Sequence, residues 1–211
     1  MTALPHAGGP TLTAGHDLHD ARVACLMVHG RGGSAADLLT LADDLNLSAF
    51  AYVAPQADGH TWYPHSFLAP VAQNQPYLEG ALARLETALT ELAEAGIPAE
   101  RVAVLGFSQG ACLASEFVAR RGGRFGALVL FSGGLITLDH TRTLSGTPVF
   151  IGNSDRDAHI PLARHEQTVE VLTRQGAQVD ARIYPGMPHT IIRDELDAAR
   201  NLLRDMTFGS L

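Results

Sequence analysis

The chain has 211 residues, 46% of them apolar and 18% charged, with a formal net charge of −7. This is the composition of a folded globular protein, long enough to bury a large core, and it excludes an intrinsically disordered chain. Lys and Arg form no block, which excludes nucleic acid as an expected partner. No apolar stretch approaches membrane-spanning length, so no stable membrane insertion is expected. The opening Met1-Thr2-Ala3-Leu4-Pro5-His6 lacks the basic and apolar regions of a signal peptide, so the expected location is cytoplasmic. Cys25 and Cys112 lie in apolar runs and read as small buried hydrophobes in a reducing compartment.

In chain order, the first twenty residues are expected to add an antiparallel edge hairpin. They include His16, Asp17, His19 and Asp20, a short polar cluster with ligand-like spacing. No second matched pair follows it and there is no His-Glu-x-x-His helix, so it reads as a solvated loop and no metal is expected. Strands are predicted at Val23–Val28, Ala49–Ala54, Val102–Phe107, Ala127–Phe131, Val149–Gly152 and Val179–Tyr184, with helices at Ala35–Leu45, Pro76–Ala95, Ser108–Arg121, Leu162–Gln175 and Ile191–Met206. Most of the strands are continuously apolar, as parallel strands covered on both faces are. Leu78, Leu82, Leu85, Leu89 and Leu92 recur at three- and four-residue steps and make one buried stripe. The alternation predicts a single α/β domain over 1–211, a doubly wound, mostly parallel sheet. The gap between Phe131 and Val149 is too short for a separate cap domain.

Sites in such sheets lie beyond the carboxyl ends of the strands. There, Gly106-Phe107-Ser108-Gln109-Gly110 places a serine between glycines, after a strand and before a helix. That is the signature of a nucleophile elbow, a turn tight enough to require glycine on both flanks. A serine hydroxyl needs a base, itself oriented by an acid, and the chain order of α/β-hydrolases is serine, acid, histidine. Of the four histidines after Ser108, His165 falls in a helix and is expected at the surface, and His140 lies in a polar connection. His189 stands in the proline-stiffened loop Tyr184-Pro185-Gly186-Met187-Pro188-His189-Thr190, after the last strand, and is the expected base. The acid should follow Val149–Gly152, where Asp155 and Asp157 compete; the loser would cap the next helix or pair with Arg156. An oxyanion needs two preorganised donors. One should be the Gln109 N–H. The other should come from the turn His29-Gly30-Arg31-Gly32-Gly33-Ser34, with the Arg31 N–H as the choice. That turn lacks the Gly-Lys-Ser/Thr ending of a phosphate-binding loop.

Together, His29-Gly30-Arg31-Gly32-Gly33, Pro55-Gln56, Trp62-Tyr63, Gly106-Phe107-Ser108-Gln109-Gly110, Asp157-Ala158-His159-Ile160-Pro161 and Pro185-Gly186-Met187-Pro188-His189 span most of the chain. In this the chain resembles the phospholipase/carboxylesterase family of small α/β-hydrolases, akin to acyl-protein thioesterases. The family's acid stands four residues before a proline, so the resemblance implies Asp157 and a triad of Ser108, Asp157 and His189. It also supports the Arg31 and Gln109 amides, implies no cofactor, and is compatible with a homodimer.

Two departures from the family lie where substrate would be read. Trp62-Tyr63 is followed by Pro64-His65-Ser66-Phe67 rather than by aspartate, and His159 stands where the family carries a small apolar residue. They favour a smaller ester than an acylated protein. The aromatic loop supplies Trp62, Tyr63, Phe67 and Leu68 as expected substrate contacts, with His159 beside them. The expectation is thus a carboxylesterase for small or short-to-medium acyl substrates. A thioesterase or lysophospholipase with the same triad is the alternative, and a non-catalytic binding protein on the hydrolase scaffold the remote one.

Overall fold

The computed structural model describes residues 4–208; the opening Met1, Thr2 and Ala3, which fall within the predicted hairpin and leader reading, lie outside the described residues. Seven strands form one sheet: β1 (Thr11–Gly15), β2 (Val23–Val28), β3 (Phe50–Pro55), β4 (Val102–Phe107), β5 (Ala127–Phe131), β6 (Pro148–Ser154) and β7 (Gln178–Tyr184). Their spatial order is β1-β3-β2-β4-β5-β6-β7. All neighbours run parallel except β1, which pairs antiparallel with β3 in the register Thr11 to Pro55.

Side chains alternate across the central strands and split the core into two layers. Leu26, Val28, Val104 and Leu130 face one side, which is covered by α3 (Tyr77–Glu94), α4 (Gln109–Arg121) and α5 (Leu162–Arg174). Cys25, Met27, Leu105 and Val129 face the other, covered by α1 (Ala35–Leu39), α2 (Leu41–Leu45) and α6 (Arg193–Phe208). The apolar stripe predicted on α3 is buried from Leu78 to Leu92. The chain runs from β2 to β3 on one side and then crosses to β4 on the other. The order therefore reverses between β2 and β4, and their carboxyl ends frame the crevice where such sheets hold ligands.

Three expectations are corrected. The N-terminal hairpin is a single strand: Leu4 to Gly9 close into turns, with Ala7 N–H donating to the Leu4 carbonyl and Gly9 N–H to the His6 carbonyl. The prolines at 5 and 10 offer no amide to a ladder, so only Thr11–Gly15 pairs, along the free edge of β3. The helix predicted over Ala35–Leu45 is broken at Thr40, whose hydroxyl and amide both donate to the Asp37 carbonyl. His165 is not on the surface but 3% exposed, on the α5 face that also buries Thr168 and Leu172.

The connection from 132 to 147 carries no helix or strand and is held against α4 by one carboxylate. Fully buried Glu116 accepts from the Ile136 and Thr137 amides, the Thr137 hydroxyl and Arg120 Nε, with His140 Nε2 at 3.3 Å. Burial alone would raise its pKa. The bonds from His140, Thr137 and Arg120 outweigh that and lower it to about 2. His140 is therefore buried too, as part of this knot, despite its polar surroundings in sequence.

Burial lowers the pKa of His165 from 6.5 to about 4, and its Nδ1 has no partner. The native state keeps this ring neutral where the unfolded chain protonates it. Its contribution to stability is therefore complete above pH 6.5, is lost as pH falls toward 4, and is at most roughly 3 kcal/mol. His165→Leu should accordingly raise the melting temperature relative to wild type by more at pH 5 than at pH 8. Equal shifts at the two pH values, measured by thermal unfolding, would contradict this account.

Candidate active site

The turn between β4 and α4 opens onto the crevice and is packed backbone against backbone. Ser108 sits at φ 56° and ψ −120°, a conformation that costs a non-glycine residue free energy and that only surrounding structure can enforce. The enforcement is backbone contact. A Cβ on Gly106 would stand 2.4 Å from the Gly110 carbonyl oxygen, and one on Gly110 would stand 2.0 Å from the Val28 carbonyl oxygen at the end of β2. Neither position admits any side chain. Ser108 N–H donates to the Phe131 carbonyl of β5, and its own carbonyl accepts from the Cys112 N–H, so the turn is anchored at both ends.

Ser108 Oγ lies 2.8 Å from His189 Nε2, and His189 Nδ1 lies 2.6 Å from Asp157 Oδ2. The Asp157 side chain is fully buried, and its other oxygen accepts from the His159 and Ile160 amides. Burial opposes its ionisation, but the bonds from His189 and from the two amides prevail and hold the carboxyl below its ordinary value. Carrying the proton on Nδ1 toward Asp157 leaves Nε2 free to accept from the serine hydroxyl. The His189 ring is flanked by the Phe107 ring at 5.1 Å and the His159 ring at 4.8 Å, the latter edge-to-face. Asp155 neither caps a helix nor pairs with Arg156. It accepts from Gly186 N–H at 2.6 Å, while Ser154 Oγ donates to the Met187 carbonyl. The end of β6 thus grips the His189 loop by its backbone at two points. Sequence reasoning missed both contacts, because they join segments more than thirty residues apart.

The turn after β2 is fixed from beneath. His29 is buried and directs Nδ1 to the Gly30 carbonyl, so that nitrogen carries the proton. Its Nε2 accepts from Ala57 N–H and lies 3.2 Å from the Gln56 amide nitrogen. Burial lowers its pKa, which suits this neutral tautomer. Gly32 N–H donates to the His60 carbonyl and Gly33 N–H to the Gly30 carbonyl, whereas Arg31 N–H has no protein acceptor among the described residues. Gln109 N–H, the first of α4, has none either. The Arg31 guanidinium donates to the Tyr63, Pro64 and His65 carbonyls. The Gln109 side-chain amide accepts from Trp62 N–H and donates to the Tyr63 carbonyl. The aromatic loop is thereby stitched to both backbone turns.

A cavity of about 440 Å³ opens over Ser108 and is lined by Arg31, Tyr63, Phe67, Gln109, His159 and His189, together with Phe107, Cys112, Ile160 and the 64–66 stretch. Two expected contacts are corrected. Trp62 does not line it: the indole is 0% exposed, packs in the core, and donates from Nε1 to the His29 carbonyl. An aromatic ring in a loop reads alike as wall or as brace until its burial is known. Leu68 is 43% exposed and also lies outside the lining. Phe107 and Cys112 were not among the expected contacts and do line it, as do His65 and Ser66 from the stretch that departs from the family. The His16–Asp20 cluster is exposed, with His19 N–H donating to Asp17, and among the described residues no three His, Cys, Asp or Glu side chains group around a metal position. No helix of the described residues is long and apolar enough to cross a membrane.

The phospholipase/carboxylesterase family model matches residues 15–207. A phospholipase/carboxylesterase from Dyadobacter fermentans superposes with a TM-score of 0.91 at 40% identity, covering 97% of this chain and 99% of that one. Acyl-protein thioesterase 1 of Yarrowia lipolytica is 26% identical over 89% of this chain and 92% of its own. A carboxylesterase of Bacillus cereus shares the fold, with a TM-score of 0.75 at 21% identity over 95% of each chain. The mostly parallel sheet with helices on both faces is the α/β-hydrolase fold. Matched along nearly its whole length, the chain belongs to the phospholipase/carboxylesterase family of hydrolytic enzymes.

Proposed function

We propose that this protein hydrolyses carboxylic esters of small or short-to-medium acyl chains through an acyl-enzyme on Ser108. The observation that carries this reading is the continuous pair of hydrogen bonds from Ser108 Oγ through His189 to Asp157. His189 Nε2 takes the hydroxyl proton as Oγ attacks the acyl carbon. Asp157 holds the ring with Nδ1 protonated and stabilises the imidazolium. The carbonyl oxygen becomes an oxyanion between the unengaged Arg31 and Gln109 amides; one such donor is worth about 3–4 kcal/mol in the transition state. The tetrahedral adduct collapses, the bond to the leaving oxygen breaks, and the proton on Nε2 passes to that oxygen. Water then repeats the sequence, giving its proton to Nε2 and its oxygen to the acyl carbon, and Ser108 is restored.

The cavity supports a modest substrate. Tyr63, Phe67, Cys112 and Ile160 offer an apolar surface for an acyl chain, and His65 and His159 bring polar rings to it. A thioester is the second reading, favoured by the acyl-protein thioesterase relatives. Turnover of short p-nitrophenyl esters against acyl-CoA and lysophospholipids at matched concentration decides between them. Ser108→Ala should abolish ester turnover and covalent labelling by a fluorophosphonate; retained turnover would sink the proposal.

The two aspartates separate by role. Asp157→Asn should lower kcat by roughly four orders of magnitude, because the ring loses the acceptor that sets its tautomer. Asp155→Asn, which touches only the loop backbone, should cost less than about tenfold. Steady-state kinetics of both variants test this, and the reverse order would reassign the acid.

A further inference from the structure

A second cavity, of about 280 Å³, lies beside the first and is lined by Leu38, Leu41, Phe107 and Ile191 with the Gly30–Arg31 backbone between them. Gly30, Arg31 and Phe107 belong to the linings of both cavities. Gly30 brings no side chain between them. A Cβ there would stand 3.3 Å from the Phe107 ring and 3.4 Å from Ser108 Cβ, in the space beside both cavities. Leu41, Phe107 and Ile191 are only partly buried where they pack on the core, so their outer surfaces remain free for a ligand.

We infer that this second cavity binds the apolar alcohol half of the ester, while the larger one takes the acyl chain; the inference rests on the proposed Ser108 chemistry. Three observations carry it. The leaving oxygen must receive its proton from His189 Nε2, so the alcohol departs on the histidine side. The second cavity adjoins that side: Phe107, which lines both cavities, lies against the His189 ring at 5.1 Å, and Ile191 is two residues beyond His189, which itself lines the larger cavity. The surface is apolar, and its rim carries the Asp37 carboxylate, held by Ser34. An anionic alcohol is disfavoured beside that carboxylate, and an uncharged alkyl or aryl alcohol is favoured. The volume is also below the range for drug-sized ligands, which suits a short group.

Two ester series test this: butyrates of methanol through hexanol, and methyl esters of acetate through hexanoate. In the wild-type enzyme kcat/KM should rise with alcohol length by up to about fourfold per buried methylene. Leu41→Trp, which fills the cavity from a partly exposed position, should flatten the alcohol series, and Leu41→Asp should flatten it as well. Neither should change the slope of the acyl series. The inference is overturned if both slopes fall together, if only the acyl slope falls, or if the wild-type alcohol series is already flat. Failure of the underlying chemistry looks different: no ester in either series would be turned over in a Ser108-dependent way.

Discussion

The structure depends on one close approach: the backbone of the β4–α4 turn lies directly on the backbone at the end of β2. Gly110 packs on the carbonyls of Val28 and His29, and Gly106 packs on Gly110. Removing two side chains lets a strand end, a helix start and a neighbouring turn share one small volume. The left-handed serine, the free amide of Gln109 and the turn bearing Arg31 all meet there as a consequence. The conformational cost of Ser108 is met by the sheet on either side, through the Phe131 carbonyl and the contacts with β2.

The histidine raises a different physical problem. It sits on a loop after β7, an edge strand with four of its seven residues exposed, and such segments order only at an entropic cost. The neighbouring strand supplies the order. Ser154 and Asp155 hold the loop's backbone, Asp157 holds the imidazole, and the amides of His159 and Ile160 hold Asp157 in turn. Phe107 and His159 then limit rotation of the ring from its two sides. A second layer of bonds of this kind is what the proposed role of His189 as base requires of its position.

Much of this was legible in the sequence, and the exceptions share a cause. Strand positions, the elbow at Ser108 and the placing of His189 follow from local chemistry: apolar runs, glycine spacing, a proline-stiffened loop. Local chemistry left Asp155 and Asp157 level, and only the family resemblance pointed to Asp157. Trp62, His165 and Asp155 were misjudged because their roles depend on what lies across the fold. Trp62 braces the His29 carbonyl, His165 lies on the buried face of α5, and Asp155 reaches an amide thirty-one residues away. The break at Thr40 belongs to the same class on a smaller scale. A hydroxyl that bonds the carbonyl three residues back is compatible with helix and with its interruption alike.

Arg31 joins two parts of the site that are separate in sequence. Its amide belongs to the turn after β2, and its guanidinium clasps the carbonyls of Tyr63, Pro64 and His65. The loop that shapes the larger cavity is therefore mechanically coupled to the turn beside Ser108. For anyone redesigning selectivity, the 61–68 segment is not an independent module to be exchanged. A transplanted loop that fails to present three carbonyls in the same fan would loosen the neighbouring turn as it altered the cavity, and a change meant for recognition alone would register as a loss of rate.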